Sequence, residues 1–523
     1  MAFQNENTFF HLQQRSAVDE FHRRYEDGLA KVRGQLGKTH PLYVNGQAIT
    51  GRPTFDDTNP SNTRELIGKF PKATADDVKA AIDAAHDAFP KWSALDWKER
   101  ARIINRAGDL AAAHKFELAA LCSLENGKNR VEAMYDVDEA IDFLHYYAHS
   151  LHENHGYAKT LGKPFPNEEC TSVLRPHGVW GVVAPFNFPV AIATGMTAGA
   201  LITGNTAVLK PSSDTPLTAL RMYELFREAG VPGGALHFLT GSGATIGDAI
   251  VSSKKIDGIV FTGSREVGME LFHKATATQP RPCITEMGGK NPIVVTAKAD
   301  VDKALEGVLK SAFGFNGQKC SACSRLFVHE SLHDNFVAKL AEKAKQLKIG
   351  NPWDKETYNG PVISKKPYED YAKWAKMAHD DGDVLAGGHH VKSGSFADGY
   401  FVEPTVVTGL ATDHWLFRNE MFVPILTTAP FSSFDDVLRE CNAVEYGLTA
   451  GLFSEDKGEI QRFFDGIQSG VVYVNRRVGG STGAMVGGQS FGGWKMSGST
   501  GRGAGGPYYL EQFMREQSRT VAH

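Results

Sequence analysis

From residue 178 the chain alternates short apolar runs with segments of helical spacing, and this constrains its fold more than any other feature. "GVWGVVAPF", "TAVLKP", "ALHFLTG", "GIVFTG" and "NPIVVT" are strand-like, while "PLTALRMYELFREAG" and "REVGMELFHKA" between them have helical periodicity. Runs this apolar must be covered on both faces, as in a parallel sheet built from βαβ units. A second alternating set opens near residue 300 with "DVDKALEGVLKSAF" and runs to "GVVYVN" at 470–475. A single hydrophobic core stops growing at about 250–300 residues, so 523 residues imply at least two domains. The expectation is two α/β domains in tandem, with elements left over for self-association.

The region before this alternation is mostly helical. Residues 15 to 36 are charged and helix-like, "PLYVNGQAI" reads as a strand with an Asn-Gly turn, and "TADDVKAAIDAAHDAFPKW" begins on a Thr cap. Helical patterns run to about residue 155. The tail "GGPYYLEQFMREQSRTVAH" follows a Gly-rich loop and is amphipathic.

The charge balance excludes some partners. Lys+Arg 56 against Asp+Glu 60 leaves a net −4, which gives no electrostatic reason to bind nucleic acid or a membrane surface. No stretch reaches the ~20 apolar residues of a membrane helix, and "MAFQNENTFFHLQQ" lacks the apolar region of a secretory signal. Six scattered cysteines make no disulfide framework and fit a reducing compartment. A soluble, cytoplasmic protein is expected.

Parallel sheets bind ligands beyond the carboxyl ends of their strands, so the residues following each strand are the first candidates. Asn187, after "GVVAP", could donate to a developing oxyanion or cap the next helix. Lys210, after "TAVL", could bind hydroxyls or phosphates, or be a solvated lysine. Gly263 and Gly268 flank a helix start after "GIVFT", where backbone N–H groups could meet a phosphate. The upstream "GSGATIG" only approximates a dinucleotide fingerprint. Glu286, before a Gly pair, could serve as a general base if buried, or form a turn or a salt bridge.

"FGFNGQKCSACSR" carries Cys320 and Cys323. No second C-x-x-C completes a zinc site, so no metal is expected. The motif lies far from a chain start, unlike a thioredoxin couple. Two core cysteines remain open, but the neighbourhood favours a nucleophile, with Phe-Asn-Gly-Gln breaking the chain before Cys320.

Seven motifs appear together: "APFNFP", "LKP", "FTGSREVG", "EMGGKNP", "GQKCSACSR", "NEMFVP" and "QSFGG". In order and spacing they resemble the aldehyde dehydrogenase superfamily, from about residue 45 to the end. The resemblance implies an α/β aldehyde dehydrogenase fold with a Rossmann-like NAD-binding domain (1–150 and 175–287) and an α/β catalytic domain (288–490). Residues 151–174 and 500–523 would be oligomerisation elements, giving a dimer or a multiple of dimers. It implies Cys320 as the nucleophile that attacks the aldehyde carbon. Asn187 and the Cys320 N–H would form the oxyanion hole, and Glu286 would activate the hydrolytic water after hydride passes to the nicotinamide. Lys210 and Glu420 would bind the two riboses, Ser264 within the Gly263–Gly268 loop would contact the pyrophosphate, and Phe422 would lie near the nicotinamide ribose. Family members often have a Glu where this chain has Ser213, which leaves NADP open beside the preferred NAD.

"GQKCSACSR", "STGAMVGGQSFGG" and the tail look like the branch that oxidises L-glutamate γ-semialdehyde (1-pyrroline-5-carboxylate) to L-glutamate in proline catabolism. In that branch Ser321, Gly483 and Ala484 would hold the substrate's α-carboxylate, and Phe188 and Phe491 would sandwich its aliphatic part. Two motifs depart from the pattern: Gln489-Ser490-Phe491 replaces Gln-Pro-Phe, and Phe422-Val423-Pro424 replaces Phe-Gly-Pro. Alternatives are another carboxylate-bearing semialdehyde such as succinate semialdehyde, a non-enzymatic relative, and a thiol redox protein using Cys320 and Cys323.

Overall fold

The computed structural model describes residues 3–277, 279–478 and 485–523. Helix Val18–Arg33 is followed by a hairpin of strands Leu42–Val44 and Gln47–Ile49. The hairpin turns on Asn45 and Gly46 at φ 52° and 74°, the geometry that an Asn-Gly pair favours. Helix Ala75–Ser93 starts on a capping box: the Thr74 hydroxyl accepts from Asp77 N–H, and the Asp77 carboxylate accepts from Thr74 N–H.

The first large sheet has seven strands, in the order Cys283–Glu286, Gly258–Thr262, Val179–Val183, Thr206–Lys210, Leu236–Phe238, Leu42–Val44 and Gln47–Ile49. The first five are parallel, and the N-terminal hairpin joins antiparallel at Phe238–Tyr43. Val179–Val183 comes first in sequence among those five but third in space. Successive connections therefore leave it in opposite directions, and a crevice opens at the carboxyl ends beside it.

The second sheet is ordered Asp383–Ala386, Thr405–Thr408, Ile425–Phe431, Cys323–His329, Asn291–Val295, Thr449–Phe453 and Val471–Val474, parallel except for its first strand. Its central strands are buried on both faces. Ile293 and Val295 pack in one core layer with Leu305, Val308 and Leu340, and Val294 packs in the other with Tyr371, Ala450 and Leu452. Fully burying each such aliphatic side chain stabilises by about 1.5–3 kcal/mol. This two-sided burial explains why "NPIVVT" shows no alternation in the sequence.

Only Met287–Lys290 separate the last strand of the first sheet from Asn291–Val295. The carboxyl edge of the first sheet thus runs into the amino edge of the second. Ser497 stitches the crossing: its carbonyl accepts from Met287 N–H, its hydroxyl donates to the Gly288 carbonyl, and Gly447 N–H donates to that hydroxyl.

A third sheet pairs Glu168–Pro176 with Ala158–Thr160 on one side and Met514–Ala522 on the other. The tail is thus not one amphipathic element. Leu510, Gln512 and Phe513 are buried in a short 3-10 turn, and the strand after Met514 is exposed throughout. Phe513 packs on Trp180 with ring centroids 4.5 Å apart. No helix among the described residues is long and apolar enough to cross a membrane.

Asn205 ties the tail to the first sheet. Its fully buried amide donates to the Phe513 carbonyl at 2.9 Å and accepts from Gly178 N–H at 2.9 Å. Asn205→Ala leaves both backbone groups buried and unpaired. It is expected to lower stability by about 1–3 kcal/mol, read as a shift of the urea midpoint at unchanged slope.

Candidate active site

Cys320 sits at the amino edge of the second sheet, three residues before its strand begins. This differs from the carboxyl-end rule used on the sequence. The rule holds for the first sheet, and the second sheet meets it with its opposite edge. The turn before Cys320 is unusual. Phe315, Asn316 and Gly317 have successive φ values of 49°, 55° and 65°. A left-handed non-glycine residue costs about 1–2 kcal/mol, and here buried amides compensate. Asn316 donates to the Gly360 carbonyl at 2.7 Å, and Asn359 donates to Phe313 O at 2.7 Å and Asn316 Oδ1 at 2.8 Å. Gln318 accepts from Ile363 N–H at 2.9 Å. Past the cysteine, Asn291 Nδ2 donates to the Cys320 and Ala322 carbonyls at 2.7 and 2.9 Å, while its Oδ1 accepts from Thr449 N–H.

The two cysteines separate in role. Cys323 opens the strand, lies in the core with Ile293 and Leu326, and donates its S–H to the Arg325 carbonyl at 3.4 Å. Cys320 is half-buried and lines a cavity. All six cysteines are free.

Glu286, Phe188, Ser321 and Phe491 line the same cavity, so five sequence-predicted residues meet there. Glu286 ends the strand Cys283–Glu286; its Oε2 accepts from Gly493 N–H at 2.9 Å, and its Oε1 is buried with no partner among the described residues. Burial holds its carboxyl well above the usual range. Burial, then the carboxylates of Glu420, Glu286 and Glu139, raise the Cys320 thiol. Asn187 is buried just past Val179–Val183. It does not cap the next helix, whose cap position is Val190. Gly483 and Ala484 lie outside the described residues.

Lys128, absent from the sequence reading, holds this wall from behind. It is fully buried, 3.0 Å from the Asp136 carboxylate, with its ammonium 3.6 Å from the Phe188 ring centroid. Asp136 also accepts from Ala191 N–H, and Asn126 donates to the Phe186 carbonyl. Together they fix the backbone on both sides of Asn187. Lys319, next to Cys320, is paired with Glu132 at 2.6 Å. Glu139, from the same helix Arg130–Glu153, reaches the cavity wall. The i, i+4, i+7 spacing of Glu132, Asp136 and Glu139 puts them on one helix face. That spacing was visible in the sequence, but acidic residues in a helix normally read as a solvated face.

The other predicted residues follow the carboxyl ends of the first sheet. Lys210 is buried rather than solvated; it donates to Pro211 O at 2.8 Å, and burial lowers it to about 8. Ser213 donates to Gly241 O at 3.1 Å. Gly263 and Ser264 follow Gly258–Thr262, and the Ser264 hydroxyl caps helix Arg265–Thr276 by accepting from Val267 N–H. A Cβ at Gly268 would lie 2.5 Å from the Met287 sulfur, so glycine lets that helix approach the crossing between sheets. Ser242 in "GSGATIG" caps a second helix, Gly243–Ser252, at the same edge. From the second sheet, Glu420 accepts from Gly289 N–H at 2.8 Å, and burial raises it to about 7. Phe422, at φ 58°, packs edge-on against Phe186 across the crevice, 5.8 Å between centroids. A buried ammonium, two capped helix N-termini and a carboxylate around one crevice fit the hydroxyls and pyrophosphate of a dinucleotide.

The aldehyde dehydrogenase family profile matches residues 47–519. The 1-pyrroline-5-carboxylate dehydrogenase of Oceanobacillus iheyensis is 38% identical over 505 residues, 95% of this chain and 96% of that protein. The structure of Thermus 1-pyrroline-5-carboxylate dehydrogenase with bound NAD superposes with TM-score 0.93 at 34% identity, covering 100% of this chain and 99% of that one. Proline utilization A from Bdellovibrio bacteriovorus superposes with TM-score 0.92 at 35% identity over 97% of this chain, which spans 52% of that longer protein. The chain belongs to the aldehyde dehydrogenase family.

The raised thiol has a direct consequence. Thiolate is the reactive form, and below a raised pKa its population grows with every step in pH. Alkylation of Cys320 by iodoacetamide, followed by mass spectrometry, is expected to accelerate continuously to about pH 9 without levelling. A plateau near neutrality would mean a thiolate already formed.

Proposed function

We propose that this chain oxidises L-glutamate γ-semialdehyde to L-glutamate with NAD, in the breakdown of proline. The observation carrying this reading is the convergence of Cys320, Glu286, Phe188, Ser321 and Phe491 on one cavity, in a chain so similar over its full length to 1-pyrroline-5-carboxylate dehydrogenases. In this reading the Cys320 thiolate bonds to the aldehyde carbon, and the displaced electron pair becomes an alkoxide facing the Asn187 amide and the Cys320 N–H. NAD supplies the hydride acceptor that turns this adduct into a thioester. Glu286, in a dry setting that raises its basicity, takes a proton from the water that cleaves the thioester, releasing L-glutamate and the thiolate.

The cavity wall suits such a substrate. Phe188 and Phe491 flank its methylenes, Ser321 with Gly483 and Ala484 receives the α-carboxylate, and the Glu139 carboxylate complements the α-ammonium. Lys210 and Glu420 hold the two riboses, and Gly263, Ser264 and Gly268 the pyrophosphate, with Phe422 beside the nicotinamide end. Asp214, next to Ser213, places a negative charge near Lys210, which favours NAD over NADP. Residues 1–150 and 175–287 are assigned to cofactor binding and 288–490 to catalysis. Residues 151–174 and 500–523 are assigned to self-association. Exposed Leu161 and Phe165, in the loop between Ala158–Thr160 and Glu168–Pro176, and Val521 on Met514–Ala522 support the last assignment, and six free thiols accord with the cytoplasm.

The test is NADH formation with L-glutamate γ-semialdehyde, succinate semialdehyde and propanal, for wild type, Cys320→Ala and Glu286→Gln, with NADP in parallel. Wild type should prefer the first substrate and NAD. Cys320→Ala should be inactive, and Glu286→Gln should lose roughly 10²–10⁴-fold in steady state while retaining a single-turnover burst. A preference for succinate semialdehyde would replace this substrate assignment.

A further inference from the structure

The cavity wall from Met485 to Gly505 is held from outside the two large sheets. Gly487 N–H donates to the Gly505 carbonyl at 2.8 Å, and Phe491 and Ala504 exchange backbone hydrogen bonds at 2.9 and 2.7 Å. Phe491 and Ala504 line the cavity. Gly505 N–H donates to the Tyr147 hydroxyl, and a Cβ there would lie 3.1 Å from Val486 Cα and 3.3 Å from Phe143, itself a cavity residue. Val486 is buried.

Residues 3–8 cross this wall. Asn5 Nδ2 donates to the Val486 carbonyl at 2.9 Å and to Asp142 Oδ2 at 2.8 Å. Glu6 N–H donates to Asp142 Oδ1 at 2.9 Å. The Thr8 backbone N–H and hydroxyl each donate to Asp138 at 2.7 Å, and Lys115 Nζ lies 2.9 Å from both Glu6 and Thr8. Gly487, at φ 75°, is bare where the Phe3 and Tyr146 rings meet 5.2 Å apart: a Cβ would stand 3.0 Å from one and 3.1 Å from the other. Asp138 and Asp142 are one turn apart on helix Arg130–Glu153, which also carries Glu139 and Phe143.

We infer that residues 3–8 form a strap that positions the Val486–Gly505 side of the substrate cavity, with Asn5 as its main positioning residue for the carboxylate-bearing end of the substrate. This rests on the proposed function for the substrate's identity but not for the strap itself. Asn5 is suited to the task because one amide bridges two elements, the Val486 carbonyl and the Asp142 carboxylate. Losing it unties the wall without removing any group that touches the reacting atoms. A small aldehyde, whose kcat/KM up to hydride transfer needs only Cys320 and Asn187, should be indifferent to the strap. A longer substrate whose far end rests on this wall should not.

The test uses the full chain carrying Asn5→Ala, with Phe3→Ala as a second variant. Hydrogen exchange by mass spectrometry should speed up in peptides spanning 485–505 while the Cys320 peptide stays protected. KM for L-glutamate γ-semialdehyde should rise about tenfold, while kcat/KM for propanal stays within about twofold. Unchanged exchange over 485–505 would overturn the strap. Faster exchange with equal losses on both aldehydes would reduce it to a stabilising contact and overturn the positioning role. Wild-type turnover of L-glutamate γ-semialdehyde judges the substrate separately: if it fails and succinate semialdehyde is used instead, the same KM comparison is read with that aldehyde.

Discussion

The active site depends on a strained turn held by buried amides. Phe315 and Asn316 occupy left-handed backbone, a conformation that persists only when its surroundings over-determine it. Asn316, Gln318 and Asn359 are each completely buried, and each spends its amide on backbone carbonyls or N–H groups of this turn or its neighbours. Asn291 then fixes the Cys320 carbonyl from the adjacent strand. Cys320 can therefore stand at the amino edge of one sheet while facing the carboxyl edge of another, where Glu286 ends its strand and Asn187 follows its own.

A second constraint is electrostatic. Helix Arg130–Glu153 brings acidic residues to the site on one face and receives residues 5–8 on another. Glu132 and Asp136 neutralise Lys319 and Lys128, two ammonium groups that could not remain buried alone. With those cations paired, burial and the surrounding carboxylates outweigh the Ser321 N–H, which favours the thiolate, and the thiol is raised. Burial thus disfavours the charged forms of both the Cys320 thiol and the Glu286 carboxyl.

Much of this was legible in the sequence. The alternation after residue 178 announced parallel sheets because two-sided burial leaves continuous apolar runs. Motifs on strand ends were readable because a strand end and a Gly-rich turn are local features. What stayed hidden is long-range. The Asn291 and Asn359 clamps are ordinary asparagines until the fold brings them to Cys320 and Asn316, positions 29 and 43 residues away. Lys128 reads as a charge and proves to be a buried prop under Phe188. The carboxyl-end rule covered half of the site because only one of the two sheets obeys it. The tail looked amphipathic because the buried Leu510, Gln512 and Phe513 are followed by a strand that is exposed after Met514.

The clamp is tested most directly by Asn359→Ala, which deletes the donor shared by Phe313 O and Asn316 Oδ1 and leaves Cys320 and Glu286 untouched. A stability loss of about 1–3 kcal/mol is expected, with the variant still folded at 25 °C. In a single turnover its rate of thioester formation should fall by about tenfold or more, as expected when a nucleophile is misplaced by a fraction of an ångström. A variant that loses the stability but keeps the wild-type single-turnover rate would show that Cys320 is placed by something other than this turn.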